Sequence, residues 1–135
     1  MSDCIFCGIV AGTMPAERVY EDDRTVAFLD IAPACDGHLL VIPRAHSDDI
    51  HGADPESLAA VAATVQQMAA RVTGALGAEG VSVVQSNGRP AGQTVFHYHV
   101  HVLPRFAGDG VLVPWKMARA DADELARIGA LLRGE

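Results

Sequence analysis

His97-Tyr98-His99-Val100-His101-Val102-Leu103 sets three histidines at every second position, with Tyr98, Val100 and Val102 between them. A strict period of two is the signature of a β-strand, whose side chains alternate between faces. The three imidazoles are therefore expected on one face, with successive Cβ atoms about 6.6 Å apart. Tyr98, Val100 and Val102 take the other face and can point into a core. The strand is read as Val95 to Leu103, stopped by Pro104.

Working outward, Val19–Asp22 and Thr25–Asp30 read as a hairpin across Asp23-Arg24, because β-branched and aromatic residues favour strands. Pro33, Asp36 and Gly37 mark a loop. His38–Ile42 is a third strand, halted by Pro43, and Val81–Gln85 a fourth. Asp54-Pro55-Glu56 starts a helix with a cap, a proline at the first helical position and an early carboxylate. Leu58, Val61, Ala62, Val65, Met68, Ala69, Val72 and Leu76 follow at helical spacing, and Gly77 stops the run. Asp121–Leu132 predicts a short terminal helix with Leu125, Ile128 and Leu132 on one face. Strands, one long helix, more strands and a tail helix, with no βαβ alternation, imply an α+β domain. Its antiparallel five-stranded sheet is covered on one face by helix 55–76.

The chain has 135 residues, enough for one core. Half are apolar, which excludes a disordered chain. Ten Lys and Arg against 17 Asp and Glu give a net charge of −7. That balance argues against nucleic acid as a partner, since phosphate neutralisation needs clustered cations. It leaves room for a small anion held by histidines and backbone N–H groups. No apolar run approaches the ~20 residues of a membrane span, and Met1-Ser2-Asp3-Cys4 opens no targeting segment, so a cytoplasmic location without membrane attachment is expected. Three cysteines in a reducing compartment are no disulfide framework. Cys4-x-x-Cys7 calls for a metal role, a redox role or neither, and Cys35 stands apart. Leu58–Val65 carries no charge. It is either an alanine-rich helix of good propensity or a helix covered on a second side by a partner subunit.

The histidine row alone permits a polar surface row, a three-imidazole metal site or a phosphate site. The His-φ-His-φ-His-φ-φ pattern, φ being apolar or aromatic, follows Gly92-Gln93-Thr94-Val95-Phe96 and closely resembles the histidine-triad (HIT) nucleotide-binding family. Further segments fall in that family's order. Phe28-Leu29-Asp30-Ile31-Ala32-Pro33 looks like its ribose loop, Gly37–His46 like its second signature and Asn87–Gln93 like its phosphate loop. The Cys4-Ile5-Phe6-Cys7 start is similar to a bacterial-type subgroup. The resemblance spans residues 4–106, read as the HIT domain, with 107–135 a C-terminal tail.

The resemblance implies a nucleotidyl hydrolase or transferase. It would cleave nucleoside phosphoramidates or dinucleoside polyphosphates at the α-phosphorus, through a covalent nucleotidyl-histidine. The alternative is a module that binds purine nucleotides with little turnover. A third reading is a zinc hydrolase built on the row itself. On the family pattern His99 is the nucleophile, His101 contacts the α-phosphate oxygens, and His38 is the fourth active-site histidine. Gln93 and Thr94 touch phosphate, with Thr94 where serine is common, and Asp30 accepts from the ribose hydroxyls. Ser86 stands where the family often has Asn, and Ser86 and Asn87 complete the nucleotide-binding set. His97 serves either phosphate or a zinc ion with Cys4, Cys7 and His46, a Cys₂His₂ set suited to tetrahedral zinc. A homodimer and a purine nucleotide partner are also implied. Trp115, after Val111-Leu112-Val113-Pro114, fits a contact near a subunit boundary.

Overall fold

In the computed structural model, which describes residues 3–112 and 116–135, five strands form one antiparallel sheet in the order β1-β2-β3-β5-β4. The strands are β1 (Arg18–Glu21), β2 (Thr25–Leu29), β3 (Leu39–Pro43), β4 (Gly80–Val84) and β5 (Val100–Arg105). Helices α1 (Ile5–Ala11), α2 (Pro55–Leu76) and α3 (Ala122–Arg133) complete the chain. The architecture is the expected α+β domain. The position foreseen for Trp115 lies outside the described residues.

Alternation sorts the central strands between two apolar clusters. Ala27, Leu39, Val41, Val100 and Val102 pack with Val61, Met68 and Val72 of α2. Val26, Phe28, Leu40 and Ile42 pack with Phe6 and Ile9 of α1. α2 begins where its cap predicts, with the Asp54 carboxylate accepting from the Ser57 amide at 2.8 Å. It ends at Gly77, whose φ of 69° is the left-handed conformation that glycine adopts without a Cβ clash. Ser57, Val61, Thr64, Met68 and Val72 are its buried positions. Within this layer the Thr25 and Thr64 hydroxyls meet at 2.8 Å, a buried polar link between β2 and α2.

Three expectations need correction. Ala62 and Leu76 of α2 are exposed rather than buried. The second sheet face is also covered, by α1, where the sequence reading placed no element. Seven residues are too few to display helical periodicity. The helix is held by tertiary contacts, including donation from the Arg18 guanidinium to the Ile9 carbonyl. Lastly, β5 starts at Val100 and runs through Pro104 instead of spanning Val95–Leu103. Upstream, the backbone bonds elsewhere. The Tyr98 amide donates to the Ser47 carbonyl at 2.8 Å, and the Val95 and His97 carbonyls accept from the Gln93 and His99 side chains. Pro104 is tolerated because β3 has ended opposite Val102, leaving β4 as the neighbour there. The side chains still alternate: Tyr98, Val100 and Val102 join the α2 cluster.

Candidate active site and metal centre

A cavity of about 400 Å³ opens between α1, the end of β2 and the histidine segment. Ile5, Phe6 and Ile9 supply an apolar wall, and Asp30, Thr94, His99 and His101 supply the polar groups. An apolar chamber with a few convergent polar groups is the usual form of a small-molecule site.

The hydrogen bonds fix which ring nitrogens carry protons. The Ala34 amide is 3.0 Å from His38 Nδ1 and can only donate. Neutral His38 therefore holds its proton on Nε2, which lies 2.9 Å from His101 Nδ1. His101 accepts there and keeps its own proton on Nε2. Asp30 Oδ2 stands 3.5 Å from His38 Nε2, and Asp30 Oδ1 accepts from the Ala32 amide at 2.9 Å. His99 Nδ1 is 2.7 Å from the His97 carbonyl, which can only accept, so Nδ1 is the protonated nitrogen. His99 Nε2 is left with a lone pair.

Burial favours the neutral rings. It lowers the pKa of His38 and His99, with Asp30 opposing in both. His101 is pushed down to about 4, first by burial and then by His99 and His38. The phenyl ring of Phe6 meets the His99 ring edge-on at 5.2 Å, which seats the imidazole against α1.

The loop residues divide. Thr94 is exposed at the cavity. Gln93 is buried with both ends of its amide engaged, accepting from Gly88 N–H at 2.7 Å and donating to the Asp48 and Val95 carbonyls. It shapes the loop. Asn87 accepts from the Ile50 amide and exchanges hydrogen bonds with Gln85. Neither Asn87 nor Ser86 lines the cavity. Sequence reasoning missed the wall residues Ile5 and Ile9. The signal available was Cys4 as a helix cap, apolar Phe6 and Ile9 three apart, and Gly12 as the stop.

His97 turns away from the cavity. It gathers with Cys4, Cys7 and His46 so that four donor atoms lie within 4.8 Å of one another. His97 Nδ1 is 3.5 Å from each sulfur and 3.2 Å from His46 Nδ1, and His46 Nδ1 is 3.3 Å from Cys7 Sγ. Tetrahedral zinc, with Zn–S about 2.3 Å and Zn–N about 2.05 Å, requires edges of about 3.3 to 3.8 Å. The set fits a metal of that size. His97 Nε2 donates to the Pro43 carbonyl at 2.9 Å, and His46 Nε2 meets Asp48 Oδ1 at 3.0 Å. Both Nδ1 atoms are thereby turned toward the metal position. Cys4 also caps α1, its sulfur accepting from the Cys7 amide at 3.3 Å. Among the described residues the groups that could hold a metal divide the row: His97 falls with Cys4, Cys7 and His46, His101 with Asp30 and His38, and His99 with neither.

Comparison with known proteins places these features. Residues 11–108 match the family model described as HIT domain. The protein hit of Bacillus subtilis is 40% identical over 115 residues, 84% of this chain and 79% of the relative. An adenosine 5'-monophosphoramidase of Schizosaccharomyces pombe is 39% identical over 127 residues, 93% of this chain and 92% of the relative. The crystal structure of a Zn-bound histidine triad family protein from Mycobacterium smegmatis superposes with a TM-score of 0.79 at 38% identity, covering 98% of each chain.

Proposed function

The chain belongs to the HIT domain family, and from that premise we propose that it is a nucleotidyl hydrolase or transferase. It acts on nucleoside phosphoramidates or dinucleoside polyphosphates, and His99 is the nucleophile. The observation that carries this reading is the 2.7 Å bond from His99 Nδ1 to the His97 carbonyl. It holds the ring in the tautomer whose Nε2 lone pair is available at the cavity.

In the reaction, His99 Nε2 attacks the α-phosphorus. A P–N bond forms as the bond to the leaving group breaks. His101 donates from Nε2 to a non-bridging oxygen, its orientation set by His38, and Thr94 supplies a hydroxyl beside it. The base lies against Ile5, Phe6 and Ile9, and Asp30 accepts from the ribose. Water then attacks the phosphorus, the P–N bond breaks, and Nε2 recovers its electron pair. The net change splits one water, with hydroxyl on phosphorus and hydrogen on the leaving group. Two easier displacements replace one hard one, and fixed donors in a closed site stabilise the transferring group. The phosphoramidase name of the Schizosaccharomyces pombe relative supports this substrate class.

Cys4, Cys7, His46 and His97 hold zinc, which cross-links the α1 start to residues 46 and 97. Four protein donors leave no open position, so the ion is structural. The Zn-bound Mycobacterium smegmatis protein supports the choice of metal. We take residues 4–106 as the domain, acting as a cytoplasmic homodimer. The dimer is supported by exposed, uncharged Ala59, Ala62 and Ala63 on α2 and by Leu125, Leu131 and Leu132, all more than half exposed on α3. No helix among the described residues is long and apolar enough to cross a membrane.

The test is intact-protein mass spectrometry after quenching a slow adenosine phosphoramidate. A nucleotidyl adduct mapping to residues 97–101, absent from His99→Ala, is the expected result. Near wild-type turnover by His99→Ala would overturn it. Binding without any turnover by the wild type would favour the nucleotide-binding module.

A further inference from the structure

α1 belongs to two sites at once. Its N-terminal turn holds Cys4 and Cys7, two of the four metal donors. Ile5 and Phe6 lie between those cysteines and Ile9 follows them, and all three line the cavity. The far end of the helix is fastened independently. The Arg18 guanidinium donates to the Ile9 carbonyl, and Gly12 caps the last turn from a left-handed conformation. Only the N-terminal end therefore depends on the metal frame.

Four contacts among these donor atoms are 3.2 to 3.5 Å long, and all four atoms lie within 4.8 Å of one another. Without a metal these donors are linked by weak sulfur–imidazole hydrogen bonds, which hold the frame less firmly than four metal bonds do. Their relaxation moves the start of α1, because a seven-residue helix has little stability of its own. Ile5 and Phe6 move with it. Ile5 is 51% exposed and little else holds it, whereas Phe6 is buried against Phe28. A second route starts from the same residue. His97 offers Nδ1 to the metal frame and its carbonyl to His99.

Resting on the zinc and nucleotide readings above, we propose that the Cys4–Cys7–His46–His97 centre and the nucleotide cavity are energetically coupled through α1. The metal braces the wall on which the base packs, and the bound base in turn holds the metal frame closed. Linkage requires the two effects to be equal in size. Metal thus sets nucleotide affinity from outside the pocket, with no bond to the nucleotide.

Adenosine is the probe, because it has no phosphate to chelate zinc, and AMP is the parallel probe. Calorimetry on zinc-loaded and chelator-stripped protein should show adenosine Kd rising about tenfold on stripping, within the usual range of coupled sites. Zinc transfer from loaded protein to a colorimetric chelator should slow severalfold at saturating adenosine, because ligand-bound protein must first open the frame. This second measurement does not need the stripped protein to stay folded. Ile5→Ala keeps all four donors and trims the wall. At matched saturation it should bring the slowing close to onefold. If the slowing persists undiminished in Ile5→Ala, it reflects general stabilisation by ligand, and coupling through α1 is overturned. Tight zinc and tight adenosine with no mutual effect also overturn it, leaving the two site readings standing. A protein that binds no zinc, or loaded protein that binds neither adenosine nor AMP, removes the corresponding site reading and the coupling with it.

Discussion

α2 and α1 cover opposite faces of one sheet by different means. α2 is 22 residues long, is capped at both ends by its own sequence, and buries a regular apolar stripe. α1 is seven residues long, is fastened by cysteines at one end and a borrowed arginine at the other, and borders the cavity. The long helix gives stability that requires nothing beyond burial. The short helix borders the cavity proposed to hold the nucleotide, and its position depends on polar contacts that a ligand or a metal can alter. Stability and function are thus divided between the two faces.

That division can be broken at several points. The largest effect is expected from His99→Ala on the α1 face. Turnover should fall by about 10⁴-fold or more, while AMP affinity changes little and the melting temperature holds; single-turnover kinetics beside calorimetry reads all three. On the α2 face, Met68 is fully buried. Met68→Ala should cost about 2–5 kcal/mol of folding stability by urea titration, with kcat unchanged. A large loss of kcat at temperatures where the variant is folded would contradict the division. Metal removal falls between these cases. Cys7→Ser should lower the melting temperature by about 10 °C, following the loss of a tight native-state ligand from a domain of this size, and elemental analysis should find about one zinc per wild-type chain.

Two smaller effects sharpen the contrast. Ala63→Glu places a charge on the exposed side of α2 and repeats it across any two-fold contact. Light scattering should then report one chain where the wild type gives two. The pH dependence is the mildest. Burial holds His101 down to about 4, below the ordinary histidine value of about 6.5. Its neutral form is the one favoured by folding, so its contribution is complete above pH 6.5 and lost as pH falls through about 4. The acid limb of kcat/KM should accordingly lie below pH 6.5. A limb centred at or above that value would count against a buried neutral His101.

The same contrast explains what could be read from the sequence. Helix α2, its caps and the core face of β5 follow from period and capping, because burial against a sheet leaves a repeat in the chain, whereas β2 and β3, buried on both faces, show as strands by composition alone. The pairing of Cys4 and Cys7 with His46 and His97 came from the family resemblance, and the four do converge. α1 did not show, since seven residues make only two turns. Residues 95–99 read as strand because side-chain alternation persists there, although the backbone bonds go to Ser47, Gln93 and His99. Ser86 and Asn87 match the family's motif positions, yet a motif gives order along the chain and not direction in space. Asn87 turns to Gln85 and Ile50.

The hydroxyl pair of Thr25 and Thr64 has a consequence for how α2 finds its seat. An all-apolar contact between helix and sheet is forgiving, since a helix can slip or roll and still cover hydrocarbon. The Thr25 hydroxyl donates to Asp22 Oδ1, so Thr64 is the donor of the pair; its hydroxyl is satisfied by Thr25 in one alignment alone, and a slip strands it without water. The pair acts as a detent. It adds little to how firmly α2 is held and much to where it comes to rest, and so it keeps the histidine segment, whose Tyr98, Val100 and Val102 pack in the α2 cluster, in fixed alignment with the rest of the fold.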